Sequence, residues 1–253
     1  MQNNSFSLTL EGVVPLSQKV KHFIFKADPP SPLVYLPGQF ISIHFAHEGH
    51  ALKRSYSIAN PPCEDNRIEF AASYVANGPA SELLFNLQSG DKLEATGPFG
   101  RLILKPLVPK RYLLIATGTG ITPYRAMLPL LKTQLKENPE LEIVILQGVQ
   151  TQSDILYLEE FLTFAQACPR VRFQAHLSRA TLPLDAPYLH AGYVQSAFPT
   201  LNLSPENDRV YLCGNPCMID ASFQYLKDAG FEVSQVVREK YFSNPLTSPH
   251  IPN

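Results

Sequence analysis

The 253-residue sequence predicts two domains: an N-terminal antiparallel β-barrel and a C-terminal α/β unit on a five-stranded parallel sheet. Three observations lead there. The chain exceeds the usual size of a single domain. Its first hundred residues read as short strands between Gly and Pro turns, the rhythm of a small barrel. From Arg111 onward the rhythm changes to strand, glycine-rich turn and helix, which implies a parallel sheet with helices on both faces.

Barrel strands are expected at 6–14, 20–26, 39–45, 54–59, 67–73 and 92–96, with one short helix near 81–87. The run GPFGRLILKP (97–106) ends that pattern. Second-domain strands are expected at 112–116, 142–146, 171–177, 209–213 and 235–239, with helices at 123–136, 154–167, 193–198 and 216–229. Pro129 falls inside the first of these helices, where it removes a donor and predicts a kink. The boundary is drawn between Lys105 and Lys110, giving domains 1–106 and 107–242. The tail 243–253 carries three prolines and is expected to be extended.

Hydrophobic residues make up 45% of the chain and charged residues 17%, so a real core can form. A net charge of −1 gives no field drawing the chain to nucleic acid or a membrane surface. The first residues lack a signal-peptide pattern and no stretch reaches spanning length, so a cytoplasmic protein is expected. Of the cysteines Cys63, Cys168, Cys213 and Cys217, only the last two are close. Zinc sites favour two close pairs and iron–sulfur clusters four clustered thiolates, so no metal is expected. Any iron–sulfur chemistry would sit on a partner.

Segment ATGTGITPYRAML (116–128) joins a predicted strand to a predicted helix. Gly118 and Gly120 allow a sharp turn and close approach of a ligand, Thr122 suits an N-cap, and Pro123 suits the first helical position. Free amides there would hold a pyrophosphate, although an ordinary strand-to-helix turn reads the same way. The third glycine of the common dinucleotide fingerprint is missing, with Pro123 in its region.

Upstream, Arg54-Ser55-Tyr56-Ser57 follows PGQF (37–40). Then come Gly78-x-x-Ser81, GPFG (97–100), GTGITP (118–123), CGNP (213–216) and EKYF (239–242). In this order, each at a predicted element boundary, these motifs resemble those of the ferredoxin–NADP reductase superfamily across nearly the whole chain. The ending VVREKYF is similar to the bacterial branch, and GVQTQSDILYLEEF (148–161) also to the plastid branch.

The resemblance implies an FAD-binding barrel and an NAD(P)-binding α/β domain. Arg54 would pair with the FAD pyrophosphate, Tyr56 lie against the isoalloxazine, and Ser57 hydrogen-bond flavin N5. Gly78 and Ser81 would form a second phosphate-binding helix start; alternatively they are a surface turn with Ser81 as N-cap. Tyr241 would cover the exposed flavin face as a displaceable lid, and Phe242 would stack on the FAD adenine; both could instead be core aromatics. For NADP the resemblance implicates Gly118, Thr119, Gly120, Thr122, Pro123 and Gly214. Ser178 and Arg179 would meet the 2′-phosphate and Tyr193 the adenine. Cys213 would lie near nicotinamide C4, unless it is a structural cysteine. Glu239 would place nicotinamide and relay protons, unless it is a solvated charge. Cys217 has no implied role and is assigned to packing. Gln150 stands where some bacterial members carry arginine, yet no acidic residue follows Arg179 to claim a free 2′-hydroxyl, so NADPH is expected over NADH.

The expected function is FAD-dependent transfer of hydride between NADP(H) and FAD and of single electrons between FAD and ferredoxin or flavodoxin. Lys53, Lys92, Arg101, Lys105, Lys110 and Arg111 either form a basic rim for an acidic carrier or are scattered surface charges. A monomer is expected. The alternatives are an NAD(P)H–flavin reductase, an oxygenase-reductase component, and a non-catalytic redox sensor or electron-transfer subunit.

Overall fold

The computed structural model describes residues 5–28, 33–180 and 184–242; the predicted extended tail lies outside them. Six strands form the first domain: β1 (Ser5–Pro15), β2 (Val20–Asp28), β3 (Phe40–His47), β4 (His50–Ser57), β5 (Arg67–Ser73) and β6 (Lys92–Phe99). All pair antiparallel in the order β4-β3-β6-β1-β2-β5. Alternation along each strand sends one face inward. Phe6, Leu8 and Leu10 of β1, Phe23 and Phe25 of β2, Ile41 and Ile43 of β3 and Phe70 of β5 build the core. Phe25 and Phe70 stack with centroids 5.4 Å apart. No ladder joins the terminal strands β4 and β5. Side chains close that seam, chiefly Tyr56 stacked on Phe70 at 4.7 Å. Helix α1 (Pro79–Asn86) lies at the barrel end, with Phe85 edge-on to Phe23.

The second domain runs β7 (Arg111–Thr117), α2 (Thr122–Glu137), β8 (Glu142–Val149), α3 (Leu158–Gln166), β9 (Val171–Leu177), β10 (Leu189–Ala191), β11 (Asp208–Gly214), α4 (Pro216–Asp228) and β12 (Val236–Lys240). Its sheet is parallel, in the order β10-β9-β8-β7-β11-β12. Strands β7 and β8 are covered on both faces and therefore read as continuous apolar runs. Tyr112, Leu114, Ile143 and Ile145 face a cluster with Tyr124, Met127 and Leu131 of α2 and Phe161 of α3. Leu113, Ile115, Val144 and Leu146 pack on the other face with Ile219 and Leu226 of α4.

The structure departs from the sequence expectations where local signals are weakest. The sheet has six strands, because the three-residue β10 pairs with β9 and is too short to show a period. The helix expected at 154–167 begins later: a 3₁₀ turn at Gln152–Asp154 precedes Tyr157, whose φ of 56° starts α3. The helix expected at 193–198 is a 3₁₀ segment, Val194–Thr200, with Pro199 inside it. Helix α2 runs unbroken through Pro129, which is exposed, so its ring meets solvent rather than core. Thr122 is not the N-cap of α2; a 3₁₀ turn at Gly118–Ile121 feeds the helix directly and Ile121 takes that place. Ser81 is likewise not a cap, because Gly78 is. The Ser81 hydroxyl instead accepts from the Val75 amide at 2.9 Å and ties the turn to β5.

Arg111 does not belong to a basic rim. Its guanidinium forks onto the Asp208 carboxylate at 2.7 and 2.8 Å and donates to the Leu201 carbonyl at 2.9 Å. Asp208 is only 2% exposed, so this pair is buried structure at the base of β7 and β11. Arg111→Ala would leave a buried carboxylate unpaired. It should lower stability by about 3–5 kcal/mol in urea unfolding; a loss below about 1 kcal/mol, the range of surface pairs, would refute this reading.

Candidate active site

A cleft of about 470 Å³ opens along the unpaired seam of the barrel. Its walls are Arg54–Ser57 from the end of β4, Ala71–Ser73 from the end of β5, and Gly78–Ser81 from the start of α1. Thr119 and Thr122 close it from the second domain, and residues Glu239–Phe242 form its remaining side. Strand geometry explains the placement: backbone at the ends of β4 and β5 has no partner across the seam, so both edges face the cleft.

The floor on the second-domain side is the carboxyl end of β7 and β11. Here successive connections leave the sheet in opposite directions, which opens a crevice where open α/β sheets bind ligands. Two glycines make the approach possible. A Cβ at Gly120 would sit 2.3 Å from the Cys213 carbonyl oxygen. At Gly214, where φ is +121°, a Cβ would sit 2.5 Å from the Thr117 hydroxyl. The Asn215 amide donates to that hydroxyl at 2.8 Å, and the Asn215 side chain accepts from the Cys217 amide at the start of α4. Cys217 is exposed, which corrects its assignment to packing: the first turn of α4 faces outward at this point.

Ser57, Cys213, Glu239 and Tyr241 meet where cleft and crevice join. Cys213 and Glu239 are direct register partners on β11 and β12. Past β12, the Tyr241 amide donates to the Gly214 carbonyl at 2.8 Å and turns the Tyr241 ring inward. The Tyr241 hydroxyl donates to Ser57 Oγ at 2.5 Å, and Ser57 Oγ donates to Glu239 Oε1 at 3.0 Å. Burial raises the Glu239 carboxyl to about 7, with the Ser57 hydrogen bond opposing that rise. Burial, then the Glu239 charge, pushes the Cys213 thiol well above its usual value. Gly100 of the GPFG motif leaves the space beside Glu239: a Cβ there would lie 3.3 Å from Oε2.

Of the residues singled out from sequence, Arg54, Tyr56, Ser57, Gly78, Ser81, Thr119, Thr122, Glu239, Tyr241 and Phe242 line one cleft. Gly118, Gly120, Cys213 and Gly214 form the adjoining crevice, with Pro123 buried in the first turn of α2. Ser178, Arg179 and Tyr193 lie apart from these. They follow β9 and β10, whose Leu177 and Ala191 are register partners. Tyr193 is 73% exposed and Phe242 72%. Sequence reading missed Lys240, which lines the cleft and pairs with Asp220 at 2.6 Å, and Arg125, which bridges the domains. Lys240 lies inside EKYF and Arg125 inside the 116–128 segment, but nothing local marks what either side chain reaches.

A family model described as an oxidoreductase FAD-binding domain matches residues 7–103, and one described as an oxidoreductase NAD-binding domain matches residues 114–224. Ferredoxin–NADP reductase B of Sorangium cellulosum (strain So ce56) is 33% identical over 201 residues, covering 79% of this chain and 80% of that protein. The toluate 1,2-dioxygenase electron transfer component of Pseudomonas putida is 27% identical over 241 residues, 95% of this chain and 68% of that protein. The crystal structure of a ferredoxin NADP⁺ reductase from Neisseria gonorrhoeae with bound FAD and NADP shares the fold. Its TM-score is 0.80 at 21% identity, covering 95% of this chain and 100% of that one. Fold and site together define a two-domain oxidoreductase that binds FAD and a pyridine nucleotide. The chain belongs to the ferredoxin–NADP reductase superfamily and is a flavoenzyme of that type.

The folded chain holds the Glu239 proton more tightly than the unfolded chain does. Stability contributed by the protonated form is therefore lost as pH rises from about 4.5 toward 7. The difference in unfolding free energy between wild type and Glu239→Gln should fall over that window. A difference independent of pH would show that Glu239 is not perturbed.

Proposed function

We propose that the chain carries electrons between NADPH and a small one-electron carrier of the ferredoxin or flavodoxin kind. The observation behind this reading is the Tyr241–Ser57–Glu239 hydrogen-bond chain, which joins residues of both domains where the two ligand crevices meet. In this reading the protein works in the cytoplasm as a monomer, with its cysteines as free thiols.

The donor set of the cleft suits FAD. Arg54 supplies a cation and the first turn of α1, at Gly78 to Ser81, supplies helix-start amides; both favour a pyrophosphate. Tyr56 and Tyr241 would supply aromatic faces for the isoalloxazine, Ser57 a hydroxyl for its N5, and Phe242 a ring for the adenine. When bound, FAD converts between the electron pair of a hydride and single electrons. Gly118, Thr119, Gly120, Thr122, Pro123 and Gly214 would hold the NADP pyrophosphate, and Cys213 would lie on the nicotinamide side of that crevice.

The side chains have distinct tasks. Glu239, titrating near 7, gives or takes a proton at neutral pH, and the Ser57 hydroxyl between Glu239 and Tyr241 passes it on. Tyr241 shields this network from water and must swing aside to admit nicotinamide. One hydrogen bond to Ser57 and the stacking of an aromatic ring are small enough for a dinucleotide to displace. Ser178, Arg179 and Tyr193 select NADPH by meeting its 2′-phosphate and adenine.

An oxygenase-reductase role is a second reading, supported by the Pseudomonas putida relative, which is named as an electron transfer component and aligns over 95% of this chain. Stopped-flow mixing of the NADPH-reduced protein with ferredoxin, flavodoxin or free FMN separates the possibilities. Ferredoxin or flavodoxin should be reduced fastest; FMN outrunning both would overturn the proposal in favour of a flavin reductase. Arg179→Ala should raise the KM for NADPH more than tenfold, the loss of one charge-assisted contact, and leave that for NADH unchanged. Equal effects on both cofactors would remove Arg179 from the 2′-phosphate site.

A further inference from the structure

Behind the cleft, a second polar cluster spans the domains and takes no part in the chemistry described above. Arg125 stands one turn beyond Thr122 on α2. Its Nη1 donates to the Ala59 carbonyl at 3.0 Å and to Glu69 Oε2 at 2.7 Å. Its Nε donates to both carboxylate oxygens of Glu160 at 2.8 and 2.9 Å. The guanidinium also lies 5.1 Å from the centre of the Tyr157 ring. The Tyr157 hydroxyl meets His22 Nδ1 at 2.9 Å, and His22 Nε2 approaches Glu69 Oε2 at 3.2 Å. Burial alone would raise the Glu69 carboxyl, but the hydrogen bonds from His22 and Arg125 hold it at about 2. Tyr157 keeps a left-handed backbone at φ 56°, a conformation that bulky residues adopt only where surrounding contacts impose it.

The members of this circuit come from both sides of the domain boundary. His22 is on β2, Ala59 just past β4 and Glu69 on β5, while Arg125 is on α2 and Tyr157 and Glu160 at the start of α3. Ala59 is two residues beyond Ser57, and Arg125 three residues beyond Thr122. The Arg125–Ala59 hydrogen bond is therefore a short rigid link between the strand carrying Arg54–Ser57 and the helix start carrying Gly118–Thr122. Only a guanidinium offers donors in three directions within one plane; an ammonium on a flexible stem does not.

We propose that Arg125 is a positioning residue that fixes the nicotinamide crevice of the second domain against the flavin strand of the first. It is not among the residues that line the cleft. Its effect follows from the sensitivity of transfer reactions to placement, where about 1 Å of misalignment can cost about 100-fold. The inference rests on the oxidoreductase reading of the cleft.

Arg125→Met removes the link while leaving Glu69 paired with His22. The variant should bind FAD and NADP⁺ like wild type, and photoreduction of its flavin, which needs no nicotinamide, should be unaltered. Reduction by NADPH should slow by about 10–100-fold, and the charge-transfer absorbance of the NADP⁺ complex should weaken. In FAD-free protein, amide exchange at residues 117–122 should accelerate. Arg125→Lys should recover part of the rate. Wild-type reduction with an undiminished charge-transfer band would overturn the proposal, as would equal slowing of photoreduction. A wild type that neither NADPH nor NADH reduces would overturn the functional reading, while the exchange measurement still decides the link. Should Arg125→Met fail to fold, Glu160→Gln, which removes only the solvent-side anchor, decides by the same readings: a smaller slowing supports the proposal and no slowing overturns it.

Discussion

The unpaired seam between β4 and β5 is the constraint on which the site depends. A sheet that closed fully would bury every backbone donor and acceptor in ladders, and the barrel would then be only a scaffold. Here the terminal strands share no ladder: Tyr56 stacks on Phe70, and just past β4 the Ala59 amide donates to the Glu69 carbonyl at 2.7 Å. The edges at Arg54–Ser57 and Ala71–Ser73 are left facing a cleft rather than each other. An unpaired edge inside a protein demands partners. The first turn of α1 and the segment Glu239–Phe242 close the cavity while leaving room for a large flat ligand.

The second domain meets that seam with its own opening. Its sheet carries β7 in the middle, and the ends of β7 and β11 come close enough that Gly120 and Gly214 admit no side chain. There Glu239, the register partner of Cys213, meets Ser57, although Glu239 and Ser57 lie on strands of two different sheets. Burial at this junction moves Glu239 into the neutral range, and a carboxyl that is half protonated near pH 7 suits proton transfer. The same burial would make the junction fragile if the domains rocked. The Arg125 circuit lies where it restrains that motion without entering the cleft.

Most strands were legible because their signals are local and repeated. The alternation in β1, β2 and β5 and the apolar runs of β7 and β8 place these elements within three residues of their observed ends. Caps and short elements were harder. Thr122 and Ser81 have the chemistry of N-caps, yet a 3₁₀ turn feeds one helix and Gly78 begins the other, so each hydroxyl is free for another use. Arg111 looked like a surface charge because nothing nearby in sequence announces Asp208, 97 residues away.

By itself the sequence determined the two-domain plan, the order of the elements and the residues that gather around one cleft. The plan and the order follow from periodicity and turn chemistry, which act within a few residues of chain, and the cleft residues from motifs that resemble those of the family. The tertiary structure alone decided which strands stay unpaired, that Glu239 titrates near 7, that Arg111 is structural, and that Arg125 ties the domains together. Each of those outcomes depends on burial and on partners far away in the chain, and burial exists only once the chain has folded.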